Sequence, residues 1–215
     1  MKSFITDPEG IETKSMEIIA AEMGGRIKDF SPAEAAVVKR IIHTTADFEY
    51  ADLAVFSPGA LEAAAGFFST GGGVIVTDTN MIAAGVNKGL LEGFGGRVDC
   101  LVADEETRAA ALETGLTRSM INIRRAALQY PQGLYVIGNA PTALYELLRL
   151  VDEKEADPVL VIGVPVGFVE AAESKEELLK TGIPHITIRG RKGGSTVAVA
   201  IINALLRLAK AQHDK

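Results

Sequence analysis

The stretch from Tyr135 to Lys175 states one plan twice. Tyr135-Val136-Ile137 is a short apolar run that stops at a glycine and proline turn, Gly138 to Thr142. An amphipathic run, Ala143 to Leu150, follows at once. Val159 to Val164 repeats the plan, turns at Pro165-Val166-Gly167, and feeds a second helical pattern from Phe168 to Leu179. Each unit reads as a buried strand, a tight loop and a helix packing back. The apolar runs do not alternate with polar residues, so both strand faces are covered, as in a parallel sheet. Loops leaving the carboxyl ends of such strands form the ligand crevice. Asn139 and Gly167, in these two loops, are therefore candidate binding positions.

The remainder of the chain fits around this core. Leu53 to Phe56, Gly73 to Thr77, Val98 to Val102 and Ile186 to Ile188 are further strand candidates, each followed by a helical pattern. Six such units with short connections predict α/β architecture, a single three-layer α/β/α sandwich with a mostly parallel sheet. One domain is expected across residues 1–215, with N-terminal helices at about 8–45 and the alternating core at about 52–212. Asp7-Pro8 opens the first helix and Gly24-Gly25 closes it. Ser15 lies beside its apolar stripe of Ile11, Ile18 and Ile19. Ser31-Pro32-Ala33-Glu34 is a capping box opening the second helix.

Composition narrows the partners. A net charge of -6 argues against nucleic acid or an anionic membrane as the main partner. The apolar share of 47% and charged share of 23% are ordinary for a globular protein. Cys100, the single cysteine, sits in a strand-like run and reads as a buried, inert thiol. No disulfide framework and no Cys/His metal cluster can be assembled, so no protein metal site is expected. Met1 to Asp7 lacks a charged-then-apolar leader, and no apolar run approaches spanning length. The expected location is the cytoplasm.

His43 falls in the last turn of the second helix, where the negative end of the macrodipole favours a protonated imidazole. It either caps helix-end carbonyls or acts as a general acid, and Arg40 lies three residues earlier on a nearby side. Asp78, after the second strand, is either a helix cap or a polar group facing a ligand. Thr77 ends that strand, and Arg118 opens a later helix. Arg189-Gly190-Arg191-Lys192-Gly193-Gly194-Ser195 joins the last strand to a long apolar helix. A basic, glycine-rich turn there is a ready anion site, although its spacing is neither Walker A nor dinucleotide-binding. His185 reads as structural and His213 as part of a frayed tail.

Gly138-Asn139-Ala140-Pro141-Thr142-Ala143-Leu144 and Gly163-Val164-Pro165-Val166-Gly167-Phe168-Val169-Glu170-Ala171-Ala172-Glu173-Ser174-Lys175 resemble the precorrin-8X methylmutase family. So do the Arg189 to Ser195 loop and the run Arg40-Ile41-Ile42-His43. The resemblance covers nearly the whole chain, in the family's order. It implies a three-layer α/β/α domain forming a homodimer with a shared site. The implied reaction is an intramolecular methyl transfer from C11 to C12 of a corrin precursor, giving hydrogenobyrinic acid or cobyrinic acid. His43 matches the family's catalytic histidine, which is thought to protonate a ring nitrogen. Ser15 and Arg40 match ligand-binding positions. No cofactor is implied, and cobalt would arrive only inside the substrate. Thr77-Asp78-Thr79-Asn80-Met81 looks like the cobalt-handling, anaerobic branch. A macrocycle carrying many carboxylates needs cations at the rim and apolar walls. Arg40, Arg118, Arg189, Arg191 and Lys192 are the candidate carboxylate partners. Two rivals stand beside this reading: a phosphate- or nucleotide-binding transferase using the 189–195 loop, and a non-catalytic corrinoid carrier.

Overall fold

A computed structural model describes residues 6–214. The strands are β1 (Ala54–Phe56), β2 (Val74–Thr77), β3 (Arg97–Asp99), β4 (Leu134–Ile137), β5 (Leu160–Gly163) and β6 (His185–Ile188). Two helices precede them, α1 (Pro8–Met23) and α2 (Pro32–Thr45), joined by a 3-10 turn at Gly24–Asp29. Helix α3 (Tyr50–Leu53) is a single turn before β1, and α4 (Ala60–Ser69) leads to β2. Then come α5 (Asn80–Gly85) and α6 (Lys88–Gly93), followed after β3 by α7 (Glu105–Thr114) and α8 (Arg118–Gln129). Helices α9 (Pro141–Asp152), α10 (Ala171–Leu179) and α11 (Ser195–His213) follow β4, β5 and β6.

The six strands form one sheet in the order β1-β6-β5-β4-β2-β3. All neighbours pair in parallel except β1, which runs antiparallel to β6 with Val55 opposite Thr187. Strand alternation sorts side chains to two cores, because successive Cβ atoms point to opposite faces. Leu134, Val136, Leu160 and Ile162 join the core beneath α2, α4 and α11, whereas Tyr135, Ile137 and Val161 join the core beneath α8 and α9. Helices cover both faces, which is the expected three-layer sandwich.

Several local expectations give way. Leu53 ends the single-turn helix α3 instead of starting a strand, and Val98–Val102 shrinks to Arg97–Asp99. The helix expected from Phe168 starts at Ala171, leaving Phe168 and Val169 in an exposed loop. Glu170 at its entrance takes a left-handed conformation, φ 61°, which breaks the helical pattern there. His213 is no frayed tail: it is the last residue of α11, with its ring edge-on to Phe94 at 6.2 Å. His185 is buried with Nδ1 2.8 Å from the Ile183 carbonyl, a structural placement. Cys100 is half-buried, and burial pushes its thiol pKa up. Residues 1–5 of the leaderless N-terminal reading lie outside the described residues.

Candidate active site

Helix α2 is well specified at both ends. The Ser31 hydroxyl accepts from the Glu34 amide while the Glu34 side chain accepts from the Ser31 amide, and Pro32 takes the first helical position. Val37, Val38, Ile41 and Ile42 are buried, much of that face against α11. That burial turns Arg40 and His43 outward. At the helix end the Ala46 amide donates to the Ile42 carbonyl and Thr45 Oγ1 donates to the Ile41 carbonyl. Other groups therefore cap this terminus, and the exposed imidazole of His43 faces a cleft instead.

The cleft holds about 340 Å³, and His43, Arg40, Met81, Ser195, Thr196 and Arg207 are among its walls. Ser195 and Thr196 start α11 and Met81 belongs to α5, two helices that leave the carboxyl edge of the sheet. Two larger recesses share walls with it. One, of about 820 Å³ beside α1, shares Arg40 and Arg207 and includes Glu12 and Lys39. The other, of about 520 Å³, shares Thr44 and Thr196 and includes Gly167, Phe168, Arg191 and Lys192. Each by itself falls in the size range of small-molecule sites. The walls are mixed: guanidinium groups at the rim, with the apolar faces of Met81, Val166 and Phe168 strongly exposed beside them.

The cations are partly engaged within the chain. Arg40 hydrogen-bonds Glu12, and Arg207 stands 3.7 Å from the same carboxylate oxygen. The Arg40 hydrogen bond is the largest influence holding Glu12 below its usual carboxylate pKa, with Arg207 and His43 adding to it. Lys192 Nζ is held by Asp47 and, at 2.7 Å, by Glu49, and these hydrogen bonds raise its pKa above the ordinary lysine value. Arg191 stacks over the Phe168 ring at 5.5 Å. Lys175, fully buried, donates 2.7 Å to the Lys192 carbonyl and so ties the glycine loop to α10; burial brings its pKa down to about 8.

The expected site residues divide accordingly. His43, Arg40, Gly167, Arg191 and Lys192 gather around the connected recesses. Arg189 instead lies 3.5 Å from Glu176 of α10, so the basic loop does not close as one phosphate cradle. Two of its amides are engaged, Arg189 donating to the Leu53 carbonyl and Gly194 to the Val164 carbonyl, while the Arg191 carbonyl accepts from the Gly167 amide. Ser15 donates its hydroxyl to the Ile11 carbonyl on α1. Thr77 and Asp78 are fully buried. Thr77 Oγ1 donates to the Thr79 carbonyl, and Thr79, not Asp78, caps α5. Asp78 reaches sideways to β4, where its carboxylate accepts the amides of Gly138, Asn139 and Ala140 at 3.0, 2.9 and 2.8 Å. Burial raises its pKa, opposed by those three donors. Asp78 is thus a brace inside the loop and does not present its carboxylate to a ligand. Asn139 and Arg118 are exposed on that edge, outside the His43 cleft.

Two residues escaped the sequence reading, Arg207 of the cleft and Glu12 of the adjoining α1 recess. Thr196, Val199, Ala200, Asn203 and Arg207 form a single stripe at helical spacing on α11. The polar members of that stripe, on an otherwise apolar helix, were the available signal.

The family model described as precorrin-8X methylmutase matches residues 10–208. Cobalt-precorrin-8 methylmutase of Priestia megaterium is 45% identical over 208 residues, covering 97% of this chain and 91% of that protein. The protein of the same name from Salmonella typhimurium is 44% identical, covering 94% of this chain and 96% of the relative. The crystal structure of precorrin-8x methyl mutase from Thermus thermophilus superimposes with a TM-score of 0.84 at 40% identity, covering 94% of this chain and 98% of that one. The fold, the cleft at the end of α2 and these matches agree: the chain belongs to the precorrin-8X methylmutase family.

Proposed function

We propose that the chain is an isomerase of cobalamin biosynthesis that moves a methyl group from C11 to C12 of cobalt-precorrin-8, giving cobyrinic acid, with precorrin-8X and hydrogenobyrinic acid as the metal-free counterpart. The observation that carries this reading is the exposed His43, released from helix capping, in a cleft rimmed by Arg40 and Arg207. His43 lends a proton to a ring nitrogen, which draws electron density from the conjugated system. The C11–methyl bond then breaks as the C12–methyl bond forms, and the imidazole takes a proton back. No atom is gained or lost, so the reaction needs no donor or redox partner, and no cofactor is assigned. Cobalt belongs to the substrate. The names of the two relatives above support the cobalt-bearing form.

The cations at the rim hold peripheral carboxylates, and Met81 and Phe168 offer apolar contact to the ring. We assign the enzyme to the cytoplasm and to a homodimer whose subunits share the site. Among the described residues no helix is long and apolar enough to cross a membrane.

The test is anaerobic absorbance spectroscopy with cobalt-precorrin-8 and, separately, precorrin-8X. Wild type is expected to convert the preferred substrate to the corrin spectrum. A general acid contributes roughly 10²- to 10⁴-fold, so His43→Ala should lose at least about 10² in turnover and still bind. Arg40→Ala should weaken binding. A bound but unchanged spectrum with wild type would make the protein a carrier and dismiss the mutase reading.

A further inference from the structure

Arg40 and Arg207 come from different helices, α2 and α11, and both line the His43 cleft. Both also direct a guanidinium nitrogen at one atom, Glu12 Oε1: Arg40 Nη2 by a hydrogen bond, Arg207 Nη1 at 3.7 Å. Glu12 itself lines only the larger recess on the α1 side, where Lys39 is a further cation. Its side chain is 41% exposed, so water can replace the contact. The N-terminal half of α1 is lightly anchored, since its buried residues, Ile19 and Met23, lie in the second half. Two guanidinium forks aimed at one carboxylate oxygen leave most of their donors unused.

We propose that Glu12 occupies, in the ligand-free chain, the place of a substrate carboxylate, and that Arg40 and Arg207 receive that carboxylate as a pair once Glu12 withdraws toward the α1 recess. The inference rests on the reading that the cleft takes a corrin polycarboxylate, and it adds Arg207 as a binding residue and Glu12 as an internal competitor. A competitor that must leave subtracts its own ion-pair energy from the affinity for ligand. A fixed positioner of Arg40 would do the reverse.

The two roles separate in a titration of cobyrinic acid followed by absorbance, with turnover of cobalt-precorrin-8 measured in parallel. Glu12→Gln keeps the shape and removes the charge; it should tighten cobyrinic acid binding by up to about fivefold, the worth of a half-exposed ion pair. Arg207→Gln should weaken binding by about tenfold, and Arg207→Lys, which keeps the charge and loses the fork, should fall between. In the Glu12→Gln, Arg207→Gln double variant the gain from removing Glu12 should shrink, because the two effects share a partner. Thermal unfolding curves establish that each variant is folded. Weaker or unchanged binding in Glu12→Gln, or wild-type affinity in Arg207→Gln, overturns the inference while wild-type turnover keeps the mutase reading intact. A wild type that neither binds nor converts the corrinoid overturns both.

Discussion

Asp78 shows how a polar residue at the end of a strand serves the site without facing it. Its neighbours β2 and β4 flank the point where strand order reverses, which is where open α/β sheets leave their crevice. The carboxylate fills that gap and accepts three hydrogen bonds from the β4 loop. Asp78→Ala leaves three amides without this acceptor and should cost about 3 kcal/mol. Asp78→Asn, which retains one acceptor oxygen, should cost less; urea unfolding midpoints rank the two. Lys175 is a second buried group with a measurable signature. Its folded pKa, about 8, lies below the ordinary lysine value of 10.5, so between those values the unfolded chain holds more protons than the folded one. Stability therefore rises with pH across that window, by at most about 1.4 kcal/mol per pH unit from this group. Lys175→Met should flatten that rise relative to wild type in unfolding curves from pH 7.5 to 10.5. Neither role was legible in sequence. Asp78 sits 60 residues from Gly138, and only the parallel pairing of β2 with β4 brings them together. That His43 and Arg40 lie close together was legible because one helix carries both, three residues apart, whereas the role of His43 came from the family resemblance.

Elements whose identity depends on their own residues were the readable ones. β4 and β5 announce themselves by uninterrupted apolar runs, and α2 by its capping box. β1 was readable as a strand within Leu53 to Phe56 but not in its direction, because three residues carry no directional information and its antiparallel partner β6 lies more than a hundred residues away. Helix α6, Lys-Gly-Leu-Leu-Glu-Gly, has too short a period to register, and Asn87 makes it a helix by accepting the Leu90 amide. The loop from Gly190 to Gly194 was read as an anion site from its composition alone, and its packing against the β5 loop was missed. Gly193 has φ 151°, and a Cβ there would collide with the Val164 carbonyl oxygen. The glycines thus allow β5 and β6 loops to approach closely, which seats the start of α11 against His43's cleft. Gly193→Ala should force that loop off Val164, at a cost of at least about 2 kcal/mol, and should weaken corrinoid binding as Thr196 and Lys192 shift. Unfolding in urea and the product titration check the two halves separately.

At the level of the whole molecule, the cations fall into two groups. Arg40, Arg191, Lys192 and Arg207 surround the recesses next to His43, whereas Arg118 and Arg189 stand on the carboxyl edge outside them. Arg118 has no ion-pair partner among the described residues. A net charge of -6 gives the chain no general excess of cations to scatter, so an unpaired arginine near the sheet's ligand edge calls for a partner. The proposed two-fold homodimer with a shared site would bring such an outlying cation of one chain to the other chain's cleft. The consequence is a subunit-mixing experiment. His43→Ala and Arg118→Ala are each expected to be impaired as homodimers. When the two are unfolded together and refolded in equal amounts, random pairing makes half the dimers mixed, each with one intact site, and activity should recover to about a quarter of wild type. If Arg118 serves the cleft of its own chain, every site in a mixed dimer lacks one residue or the other, and mixing restores nothing. If Arg118 serves no site, its variant is fully active before mixing, and the division of cations between subunits is wrong.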